Sequence, residues 1–193
     1  VAGYGARVAA FDIDGSGNDT VRAINDAGGD ANFWRVDVAD EEMVSRSVKE
    51  ACQWLGGLDV LLHIAGVIEG VLADISNISE ATWDHVIDVN LKGSFFMAKH
   101  SAAAMSNPDR GVIVLTASNG GVTGGAASIP YASSKGGVHG LTLVLEQHLA
   151  KQGIRVNEVC PGAVDTQMIA DGREEVLRRK GKPLEPPKED GSG

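Results

Sequence analysis

"GVIVLTASNGGVTGGAASIPYASSKGGVHG", residues 111–140, decides how this chain of 193 residues folds. An apolar run from Val112 to Leu115 gives way to a glycine-rich stretch, and from about Pro130 apolar residues recur at helical spacing. A short apolar run closed by turn residues reads as a strand buried on both faces, and a spacing of three to four reads as a helix. The pattern predicts a strand over 111–117 and a helix over 130–152, with Leu141, Leu145 and Leu149 on its apolar face and Gly153 as its stop.

The same alternation extends in both directions. Strands are expected at 7–12, 31–36, 58–64 and 154–159. One helical stripe carries Met43, Val44, Ser47, Val48, Ala51, Cys52 and Leu55 behind a cap at Asp40. Another starts after Ser79 and carries Trp83, Ile87, Asn90, Ser94 and Met97 along one side, and Trp34, Trp54 and Trp83 fit core or helix-packing roles. Strand–helix repetition of this kind predicts an α/β fold with a doubly wound parallel sheet, Rossmann-like, in one domain over 1–180. Residues 181–193, "GKPLEPPKEDGSG", have three prolines and no periodicity and read as a disordered tail.

Bulk composition excludes several classes. A net charge of −9, with 17 basic against 26 acidic side chains and no basic stripe, argues against a nucleic-acid partner. The one cationic cluster, Arg178–Lys180, reads as the solvated face of a short helix. No apolar run approaches the length of about 18 residues that spans a membrane, and no secretory leader is visible. The two cysteines, Cys52 and Cys160, match no metal spacing and fit free thiols in a reducing, cytoplasmic setting.

The chemistry concentrates around the quoted stretch. Tyr131 and Lys135 are four apart on the expected helix, so their side chains share a face one turn apart. A nearby ammonium stabilises a phenolate, the condition under which a tyrosine passes protons near neutral pH. Ser118 follows a strand, at the carboxyl end where open α/β sheets bind ligands, so its hydroxyl could hold a substrate oxygen for Tyr131. Asp12 ends the strand at 7–12, where a carboxylate can accept from both adenosine ribose hydroxyls and repels a 2′-phosphate; it favours NAD(H) over NADP(H).

With these motifs in order, the chain from 7 to about 170 resembles the short-chain dehydrogenases/reductases. "YASSK" at 131–135 is similar to that family's active-site signature, and "TAS" ending at Ser118 to its substrate-orienting serine. The resemblance implies Tyr131 as proton donor and acceptor and Lys135 as the ligand of the nicotinamide ribose. "VNLKG" at 89–93 implies that Asn90 helps hold a relay water beside the lysine. "CPGAVDT" at 160–166 implies Pro161 and Gly162 against the nicotinamide and Thr166 at its carboxamide or the phosphates. "DVAD" implies Asp37, with Val38 beside it, at the adenine, and "HIAG" implies close approach of the cofactor at Ala65 and Gly66.

Two departures accompany the likeness. The family's first strand and its glycine-rich phosphate turn, close to T-G-x-x-x-G-x-G, are not found in the sequence, so the expected sheet is truncated at the N-terminus and, less clearly, at the C-terminus. His63 and Ile64 stand where the family usually has two asparagines that help fix neighbouring strands. The implied activity is hydride transfer between NAD(H) and a secondary alcohol or ketone by a homo-oligomer; Gly136, Gly137 and Gly140 permit close helix approach. Val67, Ile68, Val122 and Met168 suggest a hydrophobic small-molecule substrate. The alternatives are an inactive remnant that persists as a binding or interaction domain, and an unrelated doubly wound domain such as a methyltransferase, which would leave Ser118, Tyr131 and Lys135 unexplained together.

Overall fold

A computed structural model of the chain describes residues 1–105 and 111–162, with 164, 166, 170, 172, 174 and 176–178. The expected tail at 181–193 and Met168 lie outside the described residues. Among the described residues the named strands and α-helices follow in the order β1 (Arg7–Asp12), α1 (Gly17–Asp26), β2 (Asp30–Arg35), α2 (Glu41–Leu55), β3 (Val60–Leu62), α3 (Glu80–Ile87), α4 (Gly93–Ala104), β4 (Val112–Thr116), α5 (Asn119–Thr123), α6 (Ile129–Leu149) and β5 (Arg155–Val159). Every strand pairing is parallel. Helices lie on both faces: α1 meets Phe33 at Gly17, whereas its neighbour Trp34 points the other way and packs edge-on against Trp54 of α2. The doubly wound α/β reading holds.

The strands form two sheets, β1–β2 and β3–β4–β5. Between them the edges of β1 and β3 face a cleft of about 1090 Å³ lined by Val8, Ala10, Leu61 and their neighbours. One core joins the halves: Val36, Val44 and Val48 beside β2 and on α2 pack with Ala98 and Ala102 of α4, and these with Ile113 and Leu115 of β4. The helix layer is therefore what holds the sheets in register. Arg7 adds a staple at the amino end of β1. It donates to Asp30 at 2.7 Å and to the carbonyls of Trp54 and Leu55, and lies over the Trp54 ring at 4.3 Å.

Element ends follow local chemistry. Asp40 caps α2 by accepting from Met43 N at 3.0 Å, and Ser79 caps α3 by accepting from Thr82 N at 3.1 Å. The long helix expected over 130–152 is α6 followed by a 3₁₀ turn, Ala150–Gln152, ending at Gly153 with φ 71°. Between α3 and α4 the chain makes a π-helical turn, Asp88–Lys92. The buried line enters through Val86 and continues through Asn90, Ser94, Met97 and Ser101. Trp83, in the first turns of α3, is 39% exposed, beside Ile75, Ile78 and Ile129 of α6: of the two roles read for it the core one is corrected, and the helix-packing one is not contradicted.

Two of the close-approach glycines act within the chain. Gly137 lies under Leu91, and Gly136 faces the carbonyl of Gly121 on α5. A Cβ on Gly121 would stand 2.7 Å from Gly136 N and 2.8 Å from the Lys135 carbonyl carbon, whereas one on the exposed Gly140 would meet nothing within 4 Å. Gly121→Ala is therefore expected to cost about 1–3 kcal/mol through backbone displacement. Gly140→Ala is expected to add about 0.5–1 kcal/mol as a helix-interior gain. Urea unfolding midpoints of the two variants at unchanged m-value check the pair.

Candidate active site

The first turn of α6 carries the tyrosine. Ser128 caps it by accepting from Tyr131 N at 3.2 Å, and Pro130 supplies a residue with no amide hydrogen where none is needed. One turn on, Lys135 is 3% exposed, its Nζ 5.8 Å from the Tyr131 ring centroid. The ammonium donates to the Thr116 carbonyl at the end of β4 at 2.7 Å. Burial pushes Lys135 down to about 8.

Asn90 is fully buried in the π-helical turn and its amide is saturated. Oδ1 accepts from Val67 N at 2.8 Å, and Nδ2 donates to Val67 O at 2.9 Å and to Ser134 Oγ at 3.0 Å. A Cβ on Gly66 would lie 3.1 Å from Asn90 Oδ1 and 3.4 Å from Lys135 Nζ, so only a glycine lets the chain pass there undisturbed. Ser118 caps α5, accepting from Gly120 N at 3.3 Å; its hydroxyl proton has no acceptor among the described residues. Gly121 seats α5 against Lys135 and Gly136, and Asn119 N donates to Pro161 O at 3.1 Å, which brings the Ser118 turn and the segment after β5 together.

Asp12, Asp37, Val38, Ala65 and Gly66 all line the cleft between the sheets. Ser118, Tyr131, Lys135, Pro161, Gly162 and Thr166 lie outside that lining. Gly66, in contact range of Asn90 and Lys135, connects the two groups. Asp12 Oδ1 accepts from Asp14 N at 2.9 Å, which leaves its second oxygen toward solvent, and Asp37 Oδ1 accepts from Ala39 N at 2.9 Å. Thr166 is exposed, with Oγ1 3.4 Å from Val164 O.

Several supporting residues escaped the sequence reading. Thr116 Oγ1 donates to His63 O at 2.8 Å, and His63 N donates to Val114 O at 2.9 Å, so the β3–β4 ladder closes without the family's asparagines. The His63 ring is 4% exposed, and Nε2 has no hydrogen-bond partner among the described residues. Burial, and then the Lys135 charge, push His63 down to about 4, so it stays neutral. Ser128 and Ser134 also went unread, although a serine three residues before Tyr131 at a helix start is a capping signal. Cys160, whose thiol donates to Glu158 at 3.5 Å, is pushed up by desolvation and by that carboxylate, as befits an unreactive thiol. Among the described residues no cluster of His, Cys, Asp and Glu could hold a metal ion, and no helix is long and apolar enough to cross a membrane.

Comparison with known proteins places this arrangement. The chain is 38% identical over 170 residues to the cis-4-hydroxycyclohexanecarboxylate dehydrogenase of Sinomonas cyclohexanicum, covering 88% of this chain and 68% of that one. It is 36% identical to the xanthoxin dehydrogenase of Arabidopsis thaliana, covering 86% of this chain and 59% of that one. Among solved structures, a dehydrogenase/reductase from Sinorhizobium meliloti 1021 superposes with a TM-score of 0.80 at 32% identity, over 93% of this chain and 71% of that one. A short-chain dehydrogenase from Mycobacterium avium gives 0.78 at 33%, over 84% and 61%. The chain thus spans roughly three-fifths to two-thirds of its curated relatives' length. The short-chain dehydrogenase family model matches residues 1–177, and the chain belongs to that family.

Proposed function

We propose that the chain carries the catalytic machinery of an NAD(H)-dependent oxidoreductase acting on a secondary alcohol or ketone. The observation that carries this reading is the convergence of Lys135 Nζ and Asn90 Oδ1 on Gly66, where the cleft bearing Asp12 reaches the helix bearing Tyr131. A nicotinamide dinucleotide fits that layout. Asp12 offers a free carboxylate oxygen for ribose hydroxyls, Asp37 and Val38 flank the same end, and Lys135 offers a buried donor at the other. When bound, the nicotinamide supplies the hydride or accepts it.

The residues divide the remaining work. Ser118 has an uncommitted hydroxyl proton to give to the substrate oxygen. Tyr131 passes the proton to or from that oxygen, and the Lys135 ammonium stabilises the phenolate through a dry medium. Asn90 acts by position, keeping Gly66 and Lys135 together. Its backbone carbonyl accepts from Ser94 Oγ at 2.5 Å, and the relay water that the family resemblance implies would stand at this turn. Pro161, Gly162 and Thr166 bound the nicotinamide side. The exposed apolar residues Phe95, Leu143 and Val144 on α4 and α6 support a homo-oligomer, and two free cysteines support a cytoplasmic setting.

Calorimetric titration should show NADH binding more tightly than NADPH, with the preference lost in Asp12→Ser; no binding of either nucleotide would return the chain to the reading of an inactive binding domain. Tyr131→Phe should lose at least about 100-fold in kcat with cofactor binding unchanged, the scale of general acid–base catalysis.

Lys135 yields a stability test as well. Its displacement from 10.5 to about 8 amounts to a folding penalty on the order of 3 kcal/mol, since the unfolded chain keeps the proton more readily. Part of this returns on replacement, less the bond lost at Thr116 O. Lys135→Met should therefore fold about 1–2 kcal/mol more stably at pH 7 while losing turnover. The wild type should gain stability as pH rises from 8 to 10.5, narrowing the gap, and denaturant titrations at pH 7, 8, 9 and 10 measure it.

A further inference from the structure

The segment that follows β3 is fastened to the start of α6 by more bonds than loop closure requires. Val71 and Ser128 form an antiparallel bridge, and Leu72 N donates to Ala127 O at 2.8 Å. Gly70 lies against the Pro130 ring, and Glu69 Oε1 meets His85 Nδ1 of α3 at 2.8 Å. Leu72 has φ 52°, a left-handed conformation that a leucine adopts only when its surroundings hold it there.

The Ser128 side chain, 0% exposed, stands at the centre. Its hydroxyl donates to Glu69 O at 2.5 Å and accepts from Tyr131 N at 3.2 Å. The other side of Tyr131 is held in the same manner: its carbonyl accepts from Ser134 Oγ at 2.8 Å, and that oxygen accepts from Asn90, which holds Val67. Both backbone groups of Tyr131 are thus tied to the same segment, the amide through Ser128 to residue 69 and the carbonyl through Ser134 and Asn90 to residue 67. A helix cap needs only an acceptor. The donated bond to Glu69 does nothing for the cap, and it is the side-chain bond that adds to the backbone pairing of the two parts.

We propose that Ser128 is a positioning residue that couples the 67–72 segment to Tyr131, so that this segment, as a wall of the substrate pocket, sets where the phenol stands. The proposal rests on the reading of Tyr131 as the proton-transfer group. Its first consequence is independent of turnover: loosening one end loosens the other. Its second is that substrates contacting Val67 or Ile68 alter kcat as well as KM.

The test compares Ser128→Ala and Ser128→Thr with the wild type by amide hydrogen exchange and by steady-state kinetics on a series of cyclic secondary alcohols. Ser128→Ala should speed exchange at both Leu72–Ala73 and Tyr131–Ala132 by about tenfold, the consequence of one lost bond at each end. It should lower kcat about 10-fold to 100-fold, as misplacement of a reacting group does, with the KM for NAD+ unchanged. Ser128→Thr, which keeps the hydroxyl, should restore both. Faster exchange at Tyr131–Ala132 alone, with Leu72–Ala73 unmoved, would make Ser128 a helix cap and overturn the coupling. If no alcohol is turned over by the wild type, the reading of Tyr131 fails, and the exchange pattern still decides whether Ser128 couples the two segments.

Discussion

The geometry of the site depends on one buried amide. Asn90 has no contact with solvent, and an amide so placed is costly unless each of its groups is paired. It is paired with both backbone groups of Val67 and with the Ser134 hydroxyl. These partners belong to the segment after β3 and to the helix that carries Tyr131 and Lys135. Asn90 sits within the π-helical turn, on the buried line that runs from Val86 to Ser94. Through that amide, Gly66 is held beside Lys135.

The sheet arrangement explains why the chemistry lies at one end. Asp12, His63, Ser118 and Cys160 each stand at or just past the carboxyl end of a strand; since the strands within each sheet run parallel, His63, Ser118 and Cys160 share one edge of the three-stranded sheet and Asp12 stands at the corresponding edge of the other. The two sheets do not bond to each other among the described residues; α2 and α4, packed together over both, keep the Asp12 end and the Lys135 end at a constant separation.

Much of this was legible in the sequence because it rests on local periodicity. β1, β2, β4, β5, α2 and α6 fall within a few residues of their expected bounds, since apolar spacing, the Asp40 cap and the Gly153 stop all act over short range. The shared face of Tyr131 and Lys135 follows from helix geometry alone. What could not be read depends on contacts distant in sequence. Thr116 is an ordinary strand residue until its hydroxyl is found on His63, and Ser128 is a cap until its proton is found on Glu69. α5 was hidden because "NGG" composition suggests a loop, whereas Gly121 is there to let the helix lie against Lys135 and Gly136. Trp83 was placed in the core because spacing put it on the stripe of Asn90, and spacing does not say how far along a helix the covering elements reach.

The partner of Lys135 gives the arrangement its chemical sense. In a chain with 26 acidic side chains, a buried ammonium could have been paired with a carboxylate, which would have stabilised it well. Such a pair would also have cancelled its field. Thr116 supplies a carbonyl, a dipole that holds the ammonium in place and leaves its net charge intact. The neutral His63 ring nearby preserves this, since a carboxylate there would quench the charge and a protonated imidazole would compete with it. Under the proposed function, the positive charge remains available, in a medium of low dielectric, to the proton transfer assigned to Tyr131 one turn away. The stability given up by burying Lys135 without a counter-ion is what makes its charge effective there.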